Sequence, residues 1–256
     1  MNDHPLITTL LCARLQALSG KLMDAQSRLS LRDPEALHDF RVALRELRSL
    51  IEPVRQHLYG ADELDRLAKA CAKPTNGLRD REVLSFEVKR KGLDALHLAL
   101  ESGITDAKQA LAAHRPADAL IHRLLSLTVY WEKYLHHRDW DQLEQQIHQY
   151  RRKLRRRLKH DLADGKADLH VLRIRIKRYR YFLECYRPLL PELPAGLIKG
   201  LKDAQELTGN WHDRQVWVEA ATALPELRPL VAGWIAESID ISININSMRS
   251  IVKPIV

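Results

Sequence analysis

The sequence predicts an all-α protein made of two pseudo-symmetric helical bundles. Three observations carry that expectation. Glycine is scarce, at 10 of 256 residues, while Leu, Ala, Arg, Lys and Glu are plentiful, a mixture that favours helices. Apolar residues recur at intervals of three and four along most of the chain. A long basic segment also occurs twice, which marks an internal duplication.

The elements follow in order. Leu and Ile at mixed three- and four-residue intervals predict a helix over 6–30. Asp33, Pro34 and Glu35 read as an N-cap, a first-turn proline and an acidic first turn. The helix they open is expected to run to Leu58, with Gly60 as its stop. A helix over 62–75 closes at Asn76-Gly77, and Asp80 is read as the N-cap of another reaching Arg90. Residues 93–114 are expected to be helical with a break at Ser102-Gly103, and Pro116 to start a helix reaching His136. Helices over 139–163 and 167–187 precede a turn enforced by Pro188, Pro191 and Pro194. Segments 195–208, 213–224 and 226–238 complete the set, punctuated by Gly209 and Pro225. In the tail, Ile239, Ile241, Ile243 and Ile245 alternate with Asp240, Ser242, Asn244 and Asn246. That period of two predicts a short strand or an irregular segment over 239–256.

The repeat is the most informative feature. Residues 37–58 align with 169–190 at a constant offset of 132, without a gap. Leu37-His38 matches Leu169-His170, Arg41 matches Arg173, Arg45 matches Lys177 and Arg48 matches Arg180. Glu52, Arg55 and Leu58 match Glu184, Arg187 and Leu190. The same offset pairs Gly77 with Gly209, and one residue of slippage pairs Asp80-Arg81 with Asp213-Arg214. Each half is thus read as a long basic helix, a second helix, a glycine turn and an Asp-capped helix. The whole chain, 1–256, is taken as one domain with repeat one over 6–115 and repeat two over 117–238.

At 100° per residue, Leu37, Phe40, Leu44, Leu47 and Ile51 form one apolar stripe. His38, Arg41, Arg45, Arg48 and Arg55 form a cationic stripe beside it, and His170, Arg173, Lys177, Arg180 and Arg187 repeat it. For one helix, a solvated basic face is the simpler reading. The same stripe in both copies points instead to an anionic ligand that neutralises the rows. Arginine offers a planar fork to two phosphate oxygens, and lysine a mobile point charge. Histidine donates a hydrogen bond when neutral and becomes a cation beside a dense anion. Tyr179 and Tyr181 are the only aromatics near either stripe, so a ligand without stacking bases fits better than single-stranded nucleic acid.

Four blocks resemble the CHAD family (conserved histidine α-helical domain): LHDFRVALRELRSLIEP at 37–53, GLRDREVL at 77–84, LHVLRIRIKRYRYFLE at 169–184 and LKDAQELTGNWHDRQV at 201–216. The likeness spans residues 6–238. It implies two helical bundles about a pseudo-two-fold axis with a basic groove or pore between them. It also implies non-enzymatic binding of inorganic polyphosphate, with no cofactor. His38, Arg41, Arg45, Arg48, His170, Arg173, Lys177 and Arg180 match the family's basic positions, and Lys202 matches one ahead of the second glycine turn. Two departures stand out: Glu46 occupies a position where the family often has arginine, and the isoleucine-rich tail is unlike the expected last helix. Nothing resembles the acidic, strand-rich CYTH domain that precedes some members, so a stand-alone member is expected.

Other signals carry less. The formal charge of +8 draws anions, among them nucleic acid as a competing polyanion, but selects none. A general polyanion, RNA or DNA binder therefore remains the rival reading. His38-Asp39 and His212-Asp213 are similar to the paired ligands of metal-dependent phosphohydrolases, but a cationic stripe repels a metal, so neither metal nor hydrolase chemistry is expected. His136-His137 is read as incidental. The run Arg151–Lys159 is the densest positive charge, either a solvated face over Ile147, Leu154 and Leu158 or an extension of the anion site. Cys12, Cys71 and Cys185 suggest no disulfide framework, and no signal peptide or membrane span is recognisable. A cytoplasmic location, with polyphosphate granules as one setting, is the expectation.

Overall fold

The structure, a computed structural model, describes residues 6–31, 33–134, 137–165, 167–190 and 192–256. The helices are α1 (Leu6–Ser30), α2 (Ala36–Ile51), α3 (Ala61–Ala72), α4 (Asn76–Arg90), α5 (Asp94–Ala113), α6 (Asp118–Tyr134), α7 (His137–Ala163), α8 (Leu169–Cys185), α9 (Leu197–Ala220) and α10 (Arg228–Ile255). Short 3-10 turns at Lys73–Thr75, Arg187–Leu189 and Pro225–Leu227 join some of them. The protein is all-α among the described residues. None of its described helices is long and apolar enough to cross a membrane.

The chain divides into two compact units, Met1–Ser85 with His97–Tyr150, and Phe86–Leu96 with Arg151–Val256. In the first, α2 and α6 pack on α1, and α3 packs on α2 and α6. The stripe Leu37, Phe40, Leu44, Leu47 and Ile51 is buried throughout. Each such side chain contributes about 1.5–3 kcal/mol on burial. Like-charged neighbours cost only about 0.2–0.5 kcal/mol a pair. The core therefore wins, and α2 forms despite its row of cations. Gln26 joins α1 to the start of α6: its amide donates to Asp118 Oδ1 at 2.7 Å and its oxygen accepts the Ala117 N–H at 2.8 Å.

In the second unit α9 packs on both α8 and α10. Leu172, Ile176, Phe182 and Leu183 of α8 are buried. Trp217 and Trp234 meet at 5.5 Å between ring centres, joining α9 to α10. Trp234 Nε1 donates to Glu87, a buried carboxylate that Arg90 also engages at 2.7 Å.

Several expected boundaries differ. The helix expected to reach Leu58 stops at Ile51, because Pro53 has no N–H and its ring clashes with the preceding turn. Val54 and Leu58 stay buried, but in turns. Gly77 and Gly209 lie inside α4 and α9, and Ser102-Gly103 inside α5. A glycine costs a helix only about 1 kcal/mol relative to alanine, too little on its own to end one. Asp80 and Asp213 are consequently interior helical residues, not N-caps. Of the turn prolines, Pro191 lies outside the described residues.

The tail also departs from expectation. Residues 239–255 continue α10 as helix, neither strand nor irregular segment. The alternating isoleucines conceal a helical period: Trp234, Ser238, Ile245, Arg249 and Val252 are buried, whereas Ile239 and Ile243 are 56% and 58% exposed. Arg249 fixes the outcome by donating to the backbone oxygens of Asp161, Asp164 and Ala167 at the end of α7. Of these, the Asp161 carbonyl lies in the last turn of α7, where carbonyls lack a partner within their own helix, and Asp164 and Ala167 follow just beyond it.

Candidate anion-binding rows on two helices

On α2, His38 and Arg48 are exposed, and Arg41 and Arg45 half-buried. Arg41 is held from beneath: its Nη1 donates to Thr75 Oγ1 at 2.7 Å and to Asn76 Oδ1 at 2.9 Å. Burial lowers the Arg41 pKa most, and the neighbouring charges of Arg45 and Arg79 lower it further. Arg48 and Arg55 converge on Asp65, at 3.5 and 3.0 Å, and Lys69 joins them at 2.6 Å. Asp65 is buried, so one carboxylate orders three cations from below.

Helix α8 begins where Asp168 Oδ1 accepts the His170 N–H at 2.7 Å and the Val171 N–H at 3.3 Å. That N-cap places His170 in the first turn, with Arg173, Lys177 and Arg180 following on one face. His170 faces His212 of α9, with ring centres 5.5 Å apart. Burial, then the charges of Arg173, His170 and Lys177, push the His212 pKa down to about 4. Burial and the neighbouring positive groups thus act in the same direction to favour the neutral imidazole. Arg180 departs from the pattern: its Nε donates to Gln205 at 2.9 Å, Nη1 bonds Glu184, and the guanidinium lies 4.2 Å from the centre of the Tyr181 ring.

A family model described as the CHAD domain matches residues 13–222. The chain belongs to the CHAD family. Its fold is also similar to the crystal structure of the CHAD domain from the plant Ricinus communis, with a TM-score of 0.69 at 18% identity, covering 99% of this chain and 92% of that one. At that identity the likeness is one of fold. No curated protein sequence matches the chain.

The structure brings His170, Arg173 and Lys177 of this CHAD protein together with His212, which the sequence alone marks only as half of a metal-ligand pair. The signal was there, since His212 lies in one of the four family blocks, but only packing of α9 on α8 shows its partner. Lys202 is exposed on α9. Gln205, Asp65, Thr75 and Asn76 are further residues not foreseen: they position cations rather than supply them. Glu46, in the place of an arginine, pairs with Lys21 of α1 at 2.8 Å. Tyr179 and Tyr181 are buried, so neither offers a face to a base. Among the described residues, no group of three or more His, Cys, Asp or Glu could hold a metal ion. The His136-His137 pair lies outside the residues whose side chains are described.

Proposed function

We propose that this CHAD protein binds inorganic polyphosphate, with phosphates held by His38, Arg41, Arg45 and Arg48 on α2 and by His170, Arg173, Lys177 and Arg180 on α8, Lys202 contributing from α9. The observation that carries the reading is the environment of His212. A half-buried histidine set against His170, with its pKa pushed down to about 4 by burial first and then by the charges of Arg173, His170 and Lys177, marks a place where positive potential gathers. Bound phosphate relieves that potential through charge-assisted hydrogen bonds. Burial of the aromatics nearest the α8 row favours a ligand that carries charge without bases. Membership of the CHAD family supports the same ligand class. The role is binding: no general base or metal cage is assigned, and no bond is made or broken.

Calorimetric titration with medium-length polyphosphate, beside a single-stranded RNA of equal charge at near-physiological salt, tests the reading. Saturable polyphosphate binding with much weaker RNA binding is expected. Equal or tighter RNA binding makes the rows a generic polyanion surface and overturns it.

A further inference from the structure

Outside the cationic rows, three tyrosines of the first unit meet at its surface. Tyr130 and Tyr134, four residues apart, share one face of α6. Tyr59 joins them from the turn before α3. Trp131, buried in α6, donates from Nε1 to the Tyr59 backbone oxygen at 3.0 Å. Gly60 follows at φ 78°, so close to α6 that a Cβ there would come within 2.6 Å of Leu127 Cδ2. The backbone thus brings Tyr59 up to α6, and the rings form a row. Tyr59 lies 5.0 Å from Tyr130 between ring centres, and Tyr130 lies 4.9 Å from Tyr134.

These rings remain open to solvent, Tyr59 at 63%, Tyr134 at 50% and Tyr130 at 37% exposure. Adjoining exposed aromatics are the kind of apolar patch that marks an interaction surface. Their faces are already occupied. Arg123 lies over the Tyr59 ring at 5.8 Å and Lys133 over the Tyr134 ring at 5.2 Å, while Tyr130 has both other rings as neighbours. A nucleobase needs an open aromatic face on which to stack, so this row suits bases poorly. Neighbouring planes are tilted by 42° and 37°, which leaves a notch between each pair of rings. Among the described residues, none of the three phenol groups has a hydrogen-bond partner.

We propose that this tyrosine row docks a proline-rich segment of a partner protein, held as a polyproline II helix with acidic residues beside its prolines. The length fits: the row measures at most about 10 Å between its end centres, and one turn of that helix rises about 9 Å. Polyproline II has no internal hydrogen bonds, so its carbonyls are free to accept from the phenol groups. Proline rings seat in aromatic-lined notches, and their preset φ lowers the entropy lost on docking. Charge orients the segment. Arg123 is held by Glu63 at 2.7 Å, whereas Lys133 has no carboxylate partner among the described residues, so the acidic residues belong at the Tyr134 end. The proposal does not depend on what the α2 and α8 rows bind, since it uses none of their residues.

Fluorescence anisotropy of a labelled oligoproline peptide with a glutamate tail tests it on the full chain. The parent is expected to bind saturably. Tyr130→Ala/Tyr134→Ala is expected to lose about tenfold or more in affinity, as befits aromatic anchors, and Tyr59→Ala to weaken binding in the same direction. Circular dichroism checks that the fold persists, and Tyr130→Phe/Tyr134→Phe, which keeps the rings, is expected to lose less than the alanine pair. Lys133→Glu should weaken the glutamate-tailed peptide and favour a lysine-tailed one. Absence of binding by the parent overturns the proposal, as does affinity unchanged in the tyrosine-to-alanine variants. Equal binding of a peptide with glycine in place of every second proline overturns it too. A loss confined to Arg45→Ala/Lys177→Ala would place the glutamates on the cationic rows and also overturns it. Single-stranded RNA binding that depends on Tyr130 and Tyr134, without peptide binding, replaces the peptide by nucleic acid.

Discussion

At the scale of single residues, the two rows are organised by groups that are themselves wholly or partly buried. His212 is the clearest case. Its pKa of about 4 lies well below the roughly 6.5 of a free histidine. The folded state therefore prefers the neutral ring, and that contribution to stability is complete above about pH 6.5 and is lost as pH falls through about 4. A bound polyanion offsets Arg173 and Lys177 and raises the pKa. NMR titration should find the free His212 ring neutral at pH 7, and should find its pKa moved upward when polyphosphate is added. No movement on addition of ligand argues against phosphate at the α8 row. Asp65 shows the opposite balance. Burial pushes its carboxyl up, yet hydrogen bonds from Lys69 and Arg55 outweigh that and leave the pKa lowered. Its contribution is full above the unfolded value of about 3.9 and fades as pH falls through the lower folded value. Asp65→Asn is expected to cost about 1–3 kcal/mol in urea denaturation at neutral pH, with the difference from the parent shrinking in acid.

At the scale of elements, two glycines illustrate how one backbone need meets different surroundings. Gly60 precedes α3 and Gly196 precedes α9, both at φ 78°, in the left-handed region where a Cβ is strained. A Cβ on Gly60 would also come within 2.6 Å of Leu127 Cδ2, whereas one on Gly196 meets nothing within 4 Å. Gly196→Ala is thus expected to cost about 1–2 kcal/mol from backbone strain alone, and Gly60→Ala distinctly more, read from paired thermal or urea unfolding curves. The tail carries a related lesson. Its period-two pattern of isoleucines, taken alone, argues against helix. In the molecule the neighbouring helices select a different set, with Ile245 and Val252 inward and Ile239 and Ile243 outward. Arg249 then ties that helix to the end of α7.

At the scale of the whole molecule, a formal charge of +8 supplies attraction at a distance, and the rows supply places where it is concentrated. Arg45→Ala combined with Lys177→Ala should weaken polyphosphate binding far more than two substitutions of exposed cations outside the rows. It should also flatten the dependence of log affinity on log salt, by about one unit of slope for each phosphate contact removed. Calorimetry across a salt series reads both quantities, and an equal effect from the distant pair would show that the rows are not the site.

The helical class, the CHAD membership and the two cationic rows beside apolar stripes are all legible in the sequence. Each depends on spacing along one helix or on short ordered blocks, and 100° per residue holds wherever the helix is packed. Where the helices end is not legible in the same way. Pro53 stops α2, a break local chemistry explains once seen, while α9 and α5 run on through Gly209 and Ser102-Gly103, which carry the same turn signals in the sequence. Only the folded chain sets His212 beside His170 and gathers three cations on Asp65. Only there does Arg249 of α10 meet the backbone at the end of α7. These residues lie far apart in the chain. Which of them converge depends on how whole helices pack, a balance of buried area and paired charge that no single segment contains.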